Sequence, residues 1–288
     1  MNTNLETIER IKRIALTALL TDDLLVRKLV LKGGNALNIA YDLSNRGSMD
    51  IDFSMEDDFT EEEKQYLKKE IATLLQAEFK ANRFHVFDIR FTERPRHIGD
   101  EIKHFWGGYS VEFKVCPLSE AQNDIEKLRR EAIPLTNSGL RTFSIDISKY
   151  EFIGQKRAKE IDGTVLYVYS PEMLVLEKLR ALCQQTEEYR ALVPISIKSR
   201  ARDFFDIHTL VTHFNLDFNT DENIALARNI FEIKKVELRF IRYLNKYKEH
   251  HRQSWQIVKD TILSEDQAKD FDYYFEFVLT KFTHLGRL

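Results

Sequence analysis

The hydrophobic pattern changes period part-way along the chain, and this limits the fold more than any other feature. Before about residue 168, short runs alternate apolar and polar residues: "LVLKG", "MDIDFSM", "FHVFDIRFTE", "GYSVEFKV", "RTFSIDIS" and "TVLYVYS". Alternation places every second side chain on one face, so these runs read as strands of a mixed sheet. Between them, "NALNIAYDL" and "TEEEKQYLKKEIATLLQAEF" read as helices, the second with Thr60 as N-cap and Glu63 completing a capping box. From Pro171 onward the apolar residues recur at helical spacing, in "PEMLVLEKLRALCQQ", "RARDFFDIHTLVTHF", "ENIALARNIFEIKKVELRFIRYLNKY" and "AKDFDYYFEFVLTKF". Ser170 is placed to cap the first of these, with Pro171 at its first helical position. The predicted class is α+β: a mixed sheet with helices over residues 1–168, then a helical domain over 169–288 that completes a cleft with the first.

Composition narrows the function classes. With 43% hydrophobic and 31% charged residues the chain can bury a core and is not a disordered segment. The net charge of −3 argues against a globally basic nucleic-acid face, although local basic patches remain open. Two cysteines without CxxC spacing argue against a zinc site or a disulfide framework and fit a reducing compartment. No run approaches the ~20 apolar residues of a membrane helix. "MNTNLETIERIKRIALTALL" reads as an amphipathic helix, not a leader, so the expected location is the cytoplasm, with no membrane partner.

One stretch, "LVLKGGNALNIAYDLSNRGSMDIDFSM", combines two features that are each common alone. Gly33 and Gly34 stand between a strand and a helix, where they let a ligand approach the backbone and leave helix N-terminal N–H groups to meet phosphate. Asp50 and Asp52 stand two apart on a strand and share a face, with Ile51 and Phe53 on the other. Two carboxylates that close repel unless a cation lies between them, and Mg²⁺ (or Mn²⁺) bridging them to a triphosphate suits the pattern. Lys32 is placed to reach phosphate or an acceptor. Lys178 lies in the apolar arc of its helix, between Leu174 and Leu182, while Glu177 and Arg180 are expected outside it; a lysine there snorkels or meets an anion. Asp203 partly faces the core beside Ile207 and Leu210, and Arg202 is spaced to pair with Asp206. The basic runs are interspersed with acids; Lys198, Arg200 and Arg202 are the best candidates for RNA phosphates. His250 and His251 lack ligand-spaced partners and read as surface.

The glycine pair, the helix and the Asp50-Ile51-Asp52 strand resemble the signature of the DNA polymerase β-type nucleotidyltransferase superfamily. "KGGNALNIAYDLSNRGSMDIDF", with "SPEMLVLEKLRAL" and "RARDFFDIHTL", more closely resembles the AbiEii/AbiGii-type nucleotidyltransferase toxins, in blocks between Lys32 and Leu210. The resemblance implies transfer of NMP from an NTP to an acceptor hydroxyl, with tRNA or another cellular molecule as acceptor, growth arrest as outcome, abortive infection as context and an antitoxin encoded nearby. It implies a third metal carboxylate on a neighbouring strand. Asp146 is preferred, flanked by Ile145 and Ile147 with Ser144 and Ser148 on its own face; Glu112 is the alternative, with Lys114 placed to pair with it. It also implies triphosphate contact by Lys178, a base role for Asp203, and a phosphate or self-modification role for Ser48 in Arg46-x-Ser48-x-Asp50-x-Asp52. Asn35 departs from the hydroxyl residue often found there, yet its amide can donate to a phosphate oxygen. Two rival readings stand beside this: transfer to a small molecule such as an antibiotic, which near-neutral charge favours, and a non-catalytic nucleotide-binding module.

Overall fold

In a computed structural model that describes residues 3–43, 50–121, 124–136, 139–161, 163–194, 196–262 and 268–288, the alternating runs form one mixed seven-stranded sheet. The chain begins with α1 (Thr3–Leu19) and α2 (Asp23–Lys28), then β1 (Val30–Lys32). A short helix follows, α3 (Gly33–Asn35), continuing as a π-turn over Ala36–Ala40. Then come β2 (Ile51–Ser54), α4 (Glu61–Ala81), β3 (Phe84–Arg94), β4 (Gly108–Pro117), α5 (Ile125–Glu131), β5 (Phe143–Ser148), β6 (Arg157–Ile161) and β7 (Thr164–Val168). Sheet order is β3-β4-β5-β2-β1-β7-β6, with β1–β7 and β2–β5 parallel and the other pairs antiparallel.

Register decides which face does what. Phe53 sits opposite Ile147, Ile51 opposite Ile145, and Ile145 opposite Val111, all buried. That face is dry; α4 packs along β3 and against α1, and Phe79 of α4 meets Phe113 edge-on at 5.6 Å. Thr60 and Glu63 form the expected capping box. The opposite face of the same strands carries Asp52, Asp146, Ser110, Ser144 and Ser148. β6 has no apolar alternation to announce it. It is an edge strand with exposed Arg157, Ala158 and Glu160, and edge charges oppose pairing with other chains.

The second compact unit begins at Tyr169 and runs to Leu288; Gly154–Lys156 also belong to it. It contains α6 (Pro171–Cys183), α7 (Glu187–Arg190), α8 (Ala201–His213), α9 (Asp221–Glu232), a 3-10 helix (Leu238–Tyr247), α10 (Lys248–Arg252), α11 (Trp255–Lys259), α12 (Phe271–Phe282) and a last 3-10 turn (Leu285–Arg287). Ser170 caps α6 as expected. α6 packs against α8, α9 and the 3-10 helix, so it is covered on several sides. This corrects the wheel reading of Arg180, which is buried and donates to the Ile230 carbonyl at 3.3 Å.

Two further expectations change here. "ENIALARNIFEIKKVELRFIRYLNKY" is not one helix. Lys235 takes a left-handed backbone (φ 54°), and its N–H bonds to Glu232 while that of Val236 reaches back to Phe231. That pair of bonds is a Schellman stop, sealed by buried Val236 and Phe231. His251 is not a surface residue but is fully buried, packed on Phe204 with ring centroids 5.3 Å apart. Its Nδ1 accepts from the Arg200 N–H, and burial holds its pKa down at about 4.

Candidate functional site

Gly33 is the pivot of the site. Its φ of +68° is one that side-chain-bearing residues rarely adopt, and a Cβ there would stand 2.2 Å from Asp52 Oδ2. The glycine therefore lets the Asp52 carboxylate lie directly against the strand-to-helix turn. β2 pairs with β5 in the register Asp52–Asp146, and β5 pairs with β4 in the register Asp146–Ser110. Asp52, Asp146 and Ser110 thus form a row across three strands. Asp50, one residue before β2, takes a hydrogen bond on Oδ1 from Ser144 Oγ at 2.9 Å.

The electrostatics of this row are unfavourable without a cation. The Asp146 pKa is raised above its ordinary value, first by desolvation among surrounding protein atoms, although its edge is solvent-exposed. A hydrogen bond from Ser110 opposes the rise; the negative charges of Asp50 and Glu112 add to it, and Arg94 offsets part. Among the described residues no three His, Cys, Asp or Glu side chains converge into a ready cage. Mg²⁺ does not need one, because it is usually held by one or two carboxylates and completed by substrate phosphate and water. Asp52 and Asp146, paired in register on β2 and β5, could supply two such carboxylates. Glu112 is engaged elsewhere, paired with Arg94, and Lys114 pairs with Asp88 at 3.2 Å instead of with Glu112.

The raised Asp146 pKa, set first by desolvation, makes a stability prediction. Below the ordinary carboxylate range Asp146 is protonated folded or unfolded. As pH rises past 3.8 toward its higher folded value, ionisation favours the unfolded chain, so the cost is present at neutral pH and absent in acid. Asp146→Asn should raise the melting temperature of metal-free protein at pH 7, on the order of 2 °C. Added Mg²⁺ should stabilise the native protein more than the variant, a difference that thermal melting reads directly.

Asn35 has a role that sequence alone did not reveal. It is fully buried, and its Nδ2 donates to the Asp50 carbonyl at 2.5 Å, while Oδ1 has no hydrogen-bond partner among the described residues. The amide therefore ties the first turn after the glycines to the backbone of the first aspartate. Asn35→Ala is expected to raise the Mg²⁺ concentration needed for half-maximal activity several-fold. KM for NTP at saturating Mg²⁺ should stay nearly unchanged; an Asn35 that touched phosphate would shift KM instead.

The remaining candidates fall into separate settings. Gly34 follows Gly33 in α3 and is half-buried. Lys32 is buried, with Nζ 3.2 Å from Ser148 Oγ and 3.7 Å from Glu151. Ser48 lies outside the described residues. Within the helical unit, Lys178 is buried and bonds to Asp206 Oδ2 at 2.8 Å and Asp203 Oδ1 at 3.3 Å. Arg200 Nε also donates to Asp203. Burial tends to raise the Asp203 pKa, but Arg200 and Lys178 prevail and hold it below the ordinary value. Lys198 and Arg202 are exposed. Sequence reading missed Ser110 and Arg94 around Asp146; both depend on β3–β4–β5 register, which no local pattern encodes.

The family described as "Nucleotidyl transferase AbiEii toxin, Type IV TA system" matches residues 14–277. Among solved structures, a Helicobacter pylori protein assigned to the nucleotidyltransferases shares 16% identity at a TM-score of 0.53, covering 100% of this chain and 96% of its own. JHP933 from Helicobacter pylori shares 15% identity at a TM-score of 0.53, covering 100% and 94%. At such identities the likeness is one of fold. No curated protein matches the chain. Among the described residues no helix is long and apolar enough to cross a membrane.

Proposed function

Since the chain belongs to the AbiEii nucleotidyltransferase toxin family of type IV toxin–antitoxin systems, we propose that it moves an NMP from an NTP to an acceptor hydroxyl at the Gly33–Asp52–Asp146 site. The observation that carries this reading is the Asp52 carboxylate seated against Gly33 and in register with Asp146 on the adjoining strand. A divalent cation bound there, Mg²⁺ or Mn²⁺, supplies charge neutralisation for the triphosphate and polarises the α-phosphate. The chain's own residues do the rest. Gly33 lets the Asp52 carboxylate lie against the strand-to-helix turn, beside the first N–H groups of the helix, where a triphosphate would approach. Asn35 and Ser144 fix Asp50 from two sides, and Ser110 fixes Asp146.

The acceptor hydroxyl must lose a proton as its oxygen attacks the α-phosphate, and pyrophosphate leaves from the opposite side. Asp203 is already committed to Lys178 and Arg200 within the helical unit, whereas Asp146 stands in register with Asp52, so we place the proton acceptor in the Asp52–Asp146 row. We assign Lys178 and Asp203 to the framework of the helical unit on the same grounds. We take an RNA hydroxyl, tRNA first, as the acceptor, and membership of a toxin–antitoxin family supports a cognate antitoxin as the counterpart of this activity. The test is incubation with Mg²⁺, each α-labelled NTP in turn, and either total RNA or a panel of aminoglycosides. Label in tRNA supports the reading, label on an antibiotic replaces it with the small-molecule reading, and no label in any acceptor defeats both.

A further inference from the structure

The C-terminal helices carry both paired and unpaired exposed cations. Arg239, Lys246, Lys248 and Arg252 each have a carboxylate partner. Arg228, Lys235, Arg242 and Arg287 are exposed, and among the described residues their side chains form no hydrogen bond or ion pair. They border two neighbouring cavities along the 3-10 helix. A cavity of about 390 Å³ is lined by Arg242, Asn245, Thr283, Arg287 and Glu276, and Lys248 already neutralises Glu276 at 2.9 Å. The second, about 600 Å³, has Arg228, Lys235 and Arg239 against Glu232 and Glu237, and Glu237 is taken by Arg239.

The backbone holds these cations in place. The Schellman stop puts Lys235 in a fixed left-handed position. Gly286 lets the last turn approach so closely that a Cβ there would stand 2.9 Å from Arg242 Cγ, so the arginine stem is packed while its head is free. Arg239 and Arg242 are one 3-10 turn apart, a rise of about 6 Å, on the same row. Tyr243 stands half-exposed between them and Lys246, which lies 4.7 Å from its ring.

We propose that this face of the helical unit is a phosphate-binding surface that docks the backbone of an RNA strand. Guanidinium groups match phosphate geometry, and an accessible aromatic among them offers a base a stacking partner, which an acidic peptide would not use. As a docking site for the acceptor the proposal rests on the RNA reading above, but binding and transfer are measured separately.

The experiment is fluorescence anisotropy of labelled tRNA on the full chain, across a salt series, for the native protein, Arg242→Gln/Arg287→Gln and Arg242→Lys/Arg287→Lys. The glutamine pair should bind roughly tenfold or more weakly, with the slope of log K against log salt reduced by about 1.4, near 0.7 per phosphate contact. The lysine pair should bind more tightly than the glutamine pair and keep the native salt slope, which separates lost charge from lost fold. Native-like affinity and slope in the glutamine pair overturn the proposal, as does absence of RNA binding by the native protein. Competition by polyglutamate as effective as by RNA overturns the choice of RNA. Label transfer that fails in every acceptor while RNA binding still depends on Arg242 and Arg287 leaves this surface standing and removes the transferase reading.

Discussion

Asp52→Asn is expected to lower NMP transfer by on the order of 10³-fold while the protein stays folded. Asparagine keeps the shape that fits against Gly33. What disappears is one negative charge from a row that also holds Asp50 and Asp146. The melting temperature of metal-free protein should therefore hold or rise as turnover collapses. Rate at saturating Mg²⁺, read beside the melting curve, checks both halves. A loss of rate matched by a loss of fold would show that Asp52 serves structure instead of chemistry.

Lys178→Met is expected to have the largest effect on stability. The ammonium is buried between Asp203 and Asp206, and its removal leaves buried carboxylates short of a partner. Breaking one member of such a group costs about 3–5 kcal/mol; Arg200, still bound to Asp203, places this case toward the lower end. The pH dependence has a definite sign. The folded pKa of Asp203 lies below 3.8, so its stabilisation is present above that value and fades as pH falls through the folded value. Native and variant stabilities should therefore converge in acid and diverge at neutrality, as urea unfolding at a series of pH values would record. A Lys178 that served the triphosphate instead would leave stability unchanged at every pH and raise KM for NTP.

How much of this was legible depends on how local each cause is. The capping box at Thr60, the Ser170 cap, the strand-to-helix glycines and the switch from alternation to helical spacing are written in neighbouring residues, and the elements follow them. Two Schellman stops show the limit. After α8 the left-handed position is Asn215, a residue that favours it, whereas after α9 it is Lys235, whose choice comes from burying Val236 against Phe231. The pairing of Asp52 with Asp146 joins residues 94 positions apart, and a shift of one residue would have turned Asp146 to the dry face. The apolar–Asp–apolar pattern pointed to Asp146, and only the sheet shows that Asp52 is its neighbour. His251 escaped for the reverse reason: two adjacent histidines look solvated, and only the aromatic cluster around Phe204 explains burying one of them.

The central claim is transfer of a nucleotidyl group, and the position of the label tests it most directly. The full chain is incubated with Mg²⁺, total RNA and the same NTP labelled either at the α- or at the γ-phosphate. Nucleotidyl transfer predicts α-label joined to the acceptor and γ-label released only as pyrophosphate, with both signals lost in Asp52→Asn. Label from the γ-position on the acceptor, or α-label transfer that persists in Asp52→Asn, would contradict it.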